Sequence, residues 1–149
     1  MAQYWMIVTS KENFDITKDR DFTVQGVKSR HRKKVMEMQP GDKIMYYVTG
    51  IQKFAGIADV TSTYFEGEDK IWKAKSKKKE EIYPWRFNIK PELILDEDDW
   101  VDSEVFKDKL EYIQKWPKEH WKLAFQGNVH NLPEADYETV KSVLQDAQS

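Results

Sequence analysis

The sequence predicts an α+β protein, built as a mixed, partly closed β-barrel with short helices at its edges. Continuous apolar runs of strand length recur through the first half of the chain, and stretches with apolar residues at helical spacing lie between and after them. Closely spaced strands with flanking short helices suit a partly closed barrel. Because the 149 residues contain no linker, repeat or low-complexity segment, we expect a single domain over residues 1–149.

Predicted strands dominate the first part of the chain. Residues 4–8 form an apolar run that suits a central strand, and the two hydroxyl residues after it offer caps to a short helix over 11–18. Residues 22–27 form a short extended piece. Gly26 interrupts this piece, and it allows another group to approach the backbone closely.

A helix and a hairpin follow. Apolar residues at helical spacing predict a helix over 30–38, and Pro40-Gly41-Asp42 supplies the turn after it. The apolar run at 44–48 predicts a second strand. A hairpin joins that strand to a third one at 54–60.

The second half of the chain mixes strands with amphipathic helices. Residues 83–89 predict a strand that Pro84 places at a strand start or a sheet edge. An apolar stripe predicts a helix over 103–113, and residues 121–125 predict the last strand. A closing helix is expected to begin near Pro133, because the first helical turn tolerates proline.

Composition favours a cytoplasmic protein. The chain has no cysteine, so it has neither a disulfide framework nor a thiolate metal site. It lacks a basic leader segment, and it has no apolar run near the roughly 18 residues that a membrane span needs. We therefore expect a soluble protein that makes no membrane contact.

The charges are segregated although the net charge is only −2. The first basic cluster comprises Lys28, Arg30, Arg32, Lys33 and Lys34, beside His31. The second basic cluster comprises Lys70, Lys73, Lys75, Lys77, Lys78 and Lys79. An acidic block extends over residues 96–104. Each basic run is either a solvated loop or a contact for phosphates.

Motifs for catalysis are absent from the sequence. There is no Gly-x-Ser-x-Gly elbow, no His-Glu-x-x-His spacing among the three histidines, and no glycine-rich phosphate loop. The acidic block is typical of a solvated turn and helix cap rather than of paired catalytic carboxylates. The sequence therefore predicts no catalytic residue, no metal and no cofactor, and it favours a binding protein over an enzyme.

Trp72 is the aromatic residue that most suggests a functional role. The chain has 6 Trp, 7 Tyr and 7 Phe, and most of these rings are expected to fill the core. Trp72 differs because it lies between an acidic turn and a lysine run, without apolar residues at regular spacing around it. It is a candidate for stacking against a planar ligand.

Six short motifs extend over nearly the whole chain: Tyr4-Trp5, Val24-Gln-Gly-Val27, Met38-Gln-Pro-Gly-Asp42, Phe54-Ala-Gly-Ile-Ala-Asp-Val60, Tyr83-Pro-Trp-Arg-Phe87 and Leu132-Pro-Glu-Ala-Asp-Tyr137. Taken together, they resemble the EVE domain family. The likeness is closest to stand-alone, uncharacterised prokaryotic members. It implies a PUA-like fold, a relationship to the YTH domains that bind methylated adenine in RNA, and a DNA or RNA partner that carries a modified base.

The resemblance also implies a set of site residues. Lys11-Glu-Asn13 resembles the loop in which a YTH asparagine contacts adenine, Ile71-Trp72 and Tyr83 fall near walls of the YTH aromatic cage, and Gln126-Gly127 resembles an Asp-Gly pair there. Gln25 stands where YTH domains and many EVE relatives have tryptophan. A mixed amide and aromatic site is therefore expected. The base pocket is predicted to comprise Asn13, Gln25, Gly26, Trp72, Tyr83 and Gln126, and the phosphate rim Lys28, Arg30, Arg32, Lys73 and Lys75.

Three functional hypotheses follow from these observations. The first is a non-catalytic reader of a modified or flipped nucleobase. The second is a sensor or enzyme that uses the same pocket for a free nucleotide or a similar planar molecule. The third is that the rings pack the core and the lysines only solubilise the protein, which burial of Trp72 away from any cavity would favour.

Overall fold

The computed structural model describes residues 2–74 and 81–149. Its strands are β1 (Tyr4–Thr9), β2 (Val24–Val27), β3 (Lys43–Val48), β4 (Lys53–Val60), β5 (Phe65–Glu66), β6 (Trp85–Ile94), β7 (Val101–Asp102) and β8 (Val129–Leu132). Its α-helices are α1 (Lys11–Asp19), α2 (Arg32–Met36), α3 (Glu111–Gln114) and α4 (Glu134–Ala147). Short 3₁₀ helices occupy Ser29–His31, Glu97–Asp99, Ser103–Phe106 and Lys118–Phe125.

One curled sheet connects the strands in the order β2-β6-β4-β3-β1-β8, with β5 added to β6 and β7 added to β4. The pairing of β1 with β3 is parallel, and the other pairings are antiparallel. The register shifts between Tyr46 and Tyr47 in β3 and between Ile57 and Ala58 in β4. Such bulges increase the local twist and bend the strand. The predicted α+β half-barrel is confirmed.

The inner strands are apolar because both of their faces are covered. In β1 and β3 every residue after the first is buried. Asp42 closes the end of this pair, where its buried carboxylate accepts hydrogen bonds from Gln3 N at 2.9 Å, Trp5 Nε1 at 3.1 Å and Gln39 N at 3.1 Å. Three N–H donors satisfy the buried charge, so the predicted turn at 40–42 also fixes the start of β1.

The prediction of one continuous helix over 103–113 is wrong, because the helical structure is interrupted. The chain forms a 3₁₀ helix at Ser103–Phe106, and helical structure resumes only in α3. The reason lies in α4, where the buried carboxylate of Asp136 accepts hydrogen bonds from Glu111 N at 2.8 Å and Tyr112 N at 2.9 Å. This distant side chain caps α3 and separates it from the preceding turn.

The strand predicted over 121–125 is also wrong, because these residues belong to the 3₁₀ helix Lys118–Phe125. Trp121 and Phe125 are four residues apart, and such a spacing fits one face of a helix as well as one face of a strand. Their rings pack against each other with centroids 6.1 Å apart. Leu123, which a strand would place on the same face, is 37% exposed. The last strand is instead β8, which pairs with β1.

The helix predicted over 30–38 forms as two shorter pieces, the 3₁₀ helix Ser29–His31 and α2. The prediction of a strand over 83–89 is shifted, since β6 begins at Trp85 and continues to Ile94. The closing helix begins at Glu134, directly after Pro133, as expected. Among the described residues, no helix combines the length and apolarity needed to cross a membrane.

Candidate functional site

A cavity of about 710 Å³ opens where the ends of β1 and β2 meet the 3₁₀ helix Lys118–Phe125. Its polar lining includes the amides of Asn13, Gln25, Gln126 and Asn128. Its aromatic lining comprises Tyr47, Trp72, Tyr83 and Phe125. Its charged lining comprises Lys28, Arg30, Lys73, Glu81 and Lys122. The volume lies within the range typical of small-molecule pockets.

Most residues of the predicted site converge on this cavity. From the predicted base pocket, Asn13, Gln25, Trp72, Tyr83 and Gln126 line its wall, and from the predicted phosphate rim Lys28, Arg30 and Lys73 do so. Gly26 lies behind Trp72 rather than in the wall. Arg32 lies elsewhere, with its guanidinium 5.3 Å from the centre of the Trp85 ring. Lys75 lies outside the described residues.

Trp72 forms a fixed wall of the cavity. Its side chain is only 3% exposed, and its Nε1 donates a hydrogen bond to Thr17 Oγ1 at 2.9 Å. The ring packs directly on the backbone of Gly26, where an added Cβ would lie 2.3 Å from Cζ3. Tyr83 meets it in a T-shaped arrangement with centroids 6.1 Å apart. Trp72 is thus buried, but at a cavity rather than away from one.

Asn13 positions the segment that carries Trp72. Its Nδ2 donates to Lys73 O at 2.8 Å, and its Oδ1 accepts from Lys73 N at 2.8 Å. The second hydrogen on Nδ2 is directed at Tyr83 Oη, 3.4 Å away. Both donors of the amide are therefore engaged within the protein, and one lone pair on Oδ1 is left for a ligand.

Gln25 is held by the core but keeps part of its hydrogen-bonding capacity. Its Oε1 accepts from Tyr46 Oη at 2.7 Å, and its Nε2 donates to Gly26 O at 2.9 Å. Burial raises the pKa of Tyr46, so its hydroxyl stays protonated and keeps donating to Gln25. The amide therefore has a fixed orientation, with one N–H and one lone pair left to offer.

Tyr83 occupies a strained backbone conformation at the cavity. Its φ is +53°, in the left-handed region that costs a residue other than glycine of order 1–3 kcal/mol. Two contacts hold it there: Tyr83 N donates to Glu81 Oε2 at 3.0 Å, and Tyr83 O accepts from Arg86 Nε at 3.1 Å. Burial raises the pKa of the Tyr83 phenol, which stays neutral at the cavity wall.

Three groups of cavity residues were missed by sequence reasoning. Asn128 joins β1 to the end of β2, since its Nδ2 donates to Val8 O at 3.1 Å and its Oδ1 accepts from Lys28 N at 2.9 Å. Tyr47 and Phe125 stack face to face with centroids 4.3 Å apart. Lys122 was hidden by the wrong strand prediction at 121–125. No local pattern marks the first two groups, because their partners are distant in sequence.

The electrostatics of the cavity are mixed rather than uniformly positive. Lys28, Arg30 and Lys122 contribute cations, while Lys73 is paired with Glu12 at 3.0 Å between Nζ and Oε1. Glu81 adds a carboxylate, whose Oε1 accepts from Ser29 Oγ at 2.8 Å. The cationic side of the opening is therefore formed by the 3₁₀ helices Ser29–His31 and Lys118–Phe125.

His31 orients one of these cations. Its Nε2 accepts a hydrogen bond from Arg30 Nε at 3.1 Å. Partial burial, followed by the nearby charges of Arg30 and Lys34, lowers the pKa of His31 to about 4. The ring is consequently neutral at neutral pH and serves as an acceptor.

No group of three or more His, Asp or Glu side chains suited to a metal ion occurs within residues 2–74 and 81–149. The cavity instead offers amides and phenols, which are suited to hydrogen bonding with a flat polar molecule. Its rings are arranged as walls rather than as an open stacking surface.

Comparison with known proteins places the chain among relatives of similar length. The EVE domain family matches residues 3–143. The UPF0310 protein PH1033 of Pyrococcus horikoshii is 30% identical over 95% of this chain and 98% of the relative.

Two solved structures show the same fold at low sequence identity. The YTH domain of Zygosaccharomyces rouxii MRB1, solved in complex with N6-methyladenosine RNA, gives a TM-score of 0.70 at 15% identity, covering 99% of this chain and 90% of that one. A hypothetical protein from Leishmania major gives a TM-score of 0.67 at 17% identity, and the match covers 100% of this chain and 98% of that one.

Proposed function

The chain belongs to the EVE domain family, and from this premise we propose that it is a non-catalytic nucleic-acid-binding module that captures a modified or flipped nucleobase in its cavity. The observation that carries the proposal is the cavity itself, in which amides and aromatic rings lie inside and cations lie on one side of the opening. The likeness to a YTH domain solved with methylated RNA supports it.

The interior suits the edge of a base. Amide side chains offer a donor and an acceptor side by side, as base edges require. Gln25 presents its remaining N–H and lone pair in a fixed orientation, and Gln126 lies exposed among the residues that line the opening. A base held there is enclosed by Trp72, Tyr83 and Tyr47, and a base must leave its duplex stack or come from a single strand to reach such a cavity.

The cations suit the strand that carries the base. Arg30 and Lys122 come from two separate 3₁₀ helices, and Lys28 directly precedes the first of them; all three line the cavity. A strand whose base enters the cavity passes its phosphates between these helices. Phosphate contacts of this kind release counterions and so weaken with salt.

One observation favours a second candidate, a small planar ligand without phosphates. Glu81 lines the cavity, and Glu12 neutralises Lys73, so part of the opening repels a phosphate. Such a ligand would be a free nucleobase or nucleoside. Its binding would respond weakly to salt.

A salt titration with a panel of oligonucleotides tests the proposal. The panel consists of single-stranded DNA and RNA nonanucleotides whose central base is adenine, N6-methyladenine, cytosine or 5-methylcytosine. If Lys28, Arg30 and Lys122 each contact one phosphate, the affinity of the tightest-binding oligonucleotide should fall ~20-fold between about 50 and 200 mM salt. Fluorescence anisotropy measures this. The proposal fails if no modified member binds better than its unmodified counterpart, and a salt-independent affinity supports the small ligand instead.

A matched pair of variants sharpens the same titration. Both variants change the 3₁₀ helix Lys118–Phe125. Lys122→Ala removes a cation that lines the cavity, and Lys118→Ala removes an exposed cation outside the cavity lining. We expect Lys122→Ala to lower the steepness of the salt dependence by about 0.7 in logarithmic slope, as for one phosphate contact. Lys118→Ala is expected to leave it unchanged.

A further inference from the structure

A second aromatic and cationic surface lies beside the cavity. Trp85 is half-buried on β6, and the exposed Arg32 places its guanidinium carbon 5.3 Å from the centre of the indole. Tyr64 meets the same indole edge-on, with centroids 6.3 Å apart. We name Arg32, Tyr64 and Trp85 the flanking surface.

The flanking surface is joined to the rim of the cavity. Trp85 Nε1 donates a hydrogen bond to Ser29 O at 2.8 Å, and Ser29 itself lines the cavity together with its neighbour Arg30. Glu81, which also lines the cavity, accepts from Ser29 N at 3.1 Å and from Ser29 Oγ at 2.8 Å. The position of Trp85 is thereby fixed relative to the opening.

Tyr64 and Trp85 pack against the core on one side, but core packing does not account for the position of Arg32. The charged end of Arg32 is at the surface, where a cation over an indole contributes only about 0.5–1 kcal/mol. The guanidinium over Trp85 keeps its N–H edges available, and such a planar fork binds phosphate well.

We infer that the flanking surface binds the nucleotide next to the captured one, with its phosphate on Arg32 and its base against the half-buried rings of Tyr64 and Trp85. This inference rests on the proposed function, since it requires a strand whose neighbouring base occupies the cavity. Single-stranded nucleic acids are bound in this way, by aromatic rings for successive bases and cations for the backbone. Lys28 and Arg30, which line the adjoining cavity, match the charge of such a strand.

The test compares two probes on the same variants. The probes are the tightest-binding nonanucleotide of the panel and the free nucleoside of its central base. Arg32→Ala removes an exposed side chain, so the protein is expected to keep its fold. We expect this change to weaken nonanucleotide binding about tenfold and to leave nucleoside binding unchanged. Arg32→Lys keeps the charge but loses the planar fork, so it is expected to recover only part of the loss.

Lys90→Ala serves as the control, because Lys90 is an exposed cation on the same strand, β6, five positions beyond Trp85. The inference is overturned if Arg32→Ala weakens the nonanucleotide no more than Lys90→Ala does, or if it weakens the nucleoside equally. If the unaltered protein binds neither probe, the proposed function falls as well. The two failures are therefore distinguishable.

Discussion

Replacing Gly26 by alanine is expected to displace Trp72 and to cost the protein both stability and ligand binding. The added Cβ would lie 2.3 Å from Cζ3 and 2.8 Å from Cε3 of the indole, closer than carbon atoms approach. The backbone at Gly26 lies outside the left-handed region, so the effect is purely one of space. The ring must move away from β2, either into the cavity or away from Thr17.

The expected size of this effect combines two terms. Overpacking of a buried site costs about 1–3 kcal/mol, and loss of the hydrogen bond from Trp72 Nε1 to Thr17 Oγ1 adds about 1 kcal/mol. Chemical denaturation of Gly26→Ala should therefore show a free energy of unfolding lower by about 2–4 kcal/mol. Anisotropy with the nonanucleotide should show binding weakened by at least about tenfold, since the cavity wall has moved.

A double variant separates steric displacement from other causes. Combining Gly26→Ala with Trp72→Leu gives the methyl group room, so part of the lost stability should return while binding stays weak. If the Gly26→Ala variant has the same free energy of unfolding and the same affinity for the nonanucleotide as the unaltered protein, Trp72 is not a fixed wall of the cavity.

Replacing Arg86 by methionine is expected to give the largest loss of stability in the region of the site. The buried guanidinium donates from Nε to Tyr83 O at 3.1 Å, from Nη2 to Ile82 O at 3.2 Å and to Asp69 O, and from Nη1 to Asp69 Oδ1 at 2.5 Å. It also lies 5.4 Å from the centre of the Trp72 ring. One side chain thus ties the segments on both sides of Trp72 to β6.

Arg86→Met leaves three backbone carbonyls without their donor, and removal of one member of a buried charged network typically costs about 3–5 kcal/mol. The side chain of Arg86 is 4% exposed and that of Asp69 is 69% exposed. We therefore expect an asymmetry, in which Asp69→Asn lowers the free energy of unfolding far less than Arg86→Met does, because an exposed ion pair contributes little to stability. Equal losses for the two variants would show that the ion pair, rather than the carbonyl contacts, holds the segment.

The same variant has a spectroscopic consequence. The hydrogen bond from Arg86 lowers the pKa of Asp69 below its usual value. In Arg86→Met that pKa should rise toward the ordinary value of an exposed aspartate, which an NMR titration of the carboxyl carbon would follow.

The curled sheet was predictable because its central strands are short and mostly apolar. Residues 4–8 and 44–48 are continuous apolar runs, residues 54–60 are apolar apart from Gly56 and Asp59, and each segment lies within a strand. The failures occurred where spacing was ambiguous or a distant group intervened. Trp121 and Phe125 fit a helix and a strand equally well, and Asp136 caps α3 from 25 residues beyond Glu111.

The candidate site was predictable in part. Family resemblance pointed to Asn13, Gln25 and Trp72, which the fold brings to one cavity. The sequence did not reveal that the amide of Asn13 is engaged with Lys73, 60 residues away. Nor did it reveal Asn128, whose partners Lys28 and Val8 lie 100 and 120 residues away. Such contacts depend on how the barrel closes, which local patterns do not encode.

The most direct test of base capture is an NMR titration with the tightest-binding nonanucleotide of the panel, following side-chain N–H signals. Base capture in the cavity should give saturable shifts of the Gln25, Gln126 and Asn128 amides and of the Trp72 indole. The indole of Trp116, an exposed tryptophan outside the cavity lining, should not move. Shifts confined to surface lysines and arginines, with the cavity amides unmoved at saturation, would contradict capture of a base in this cavity.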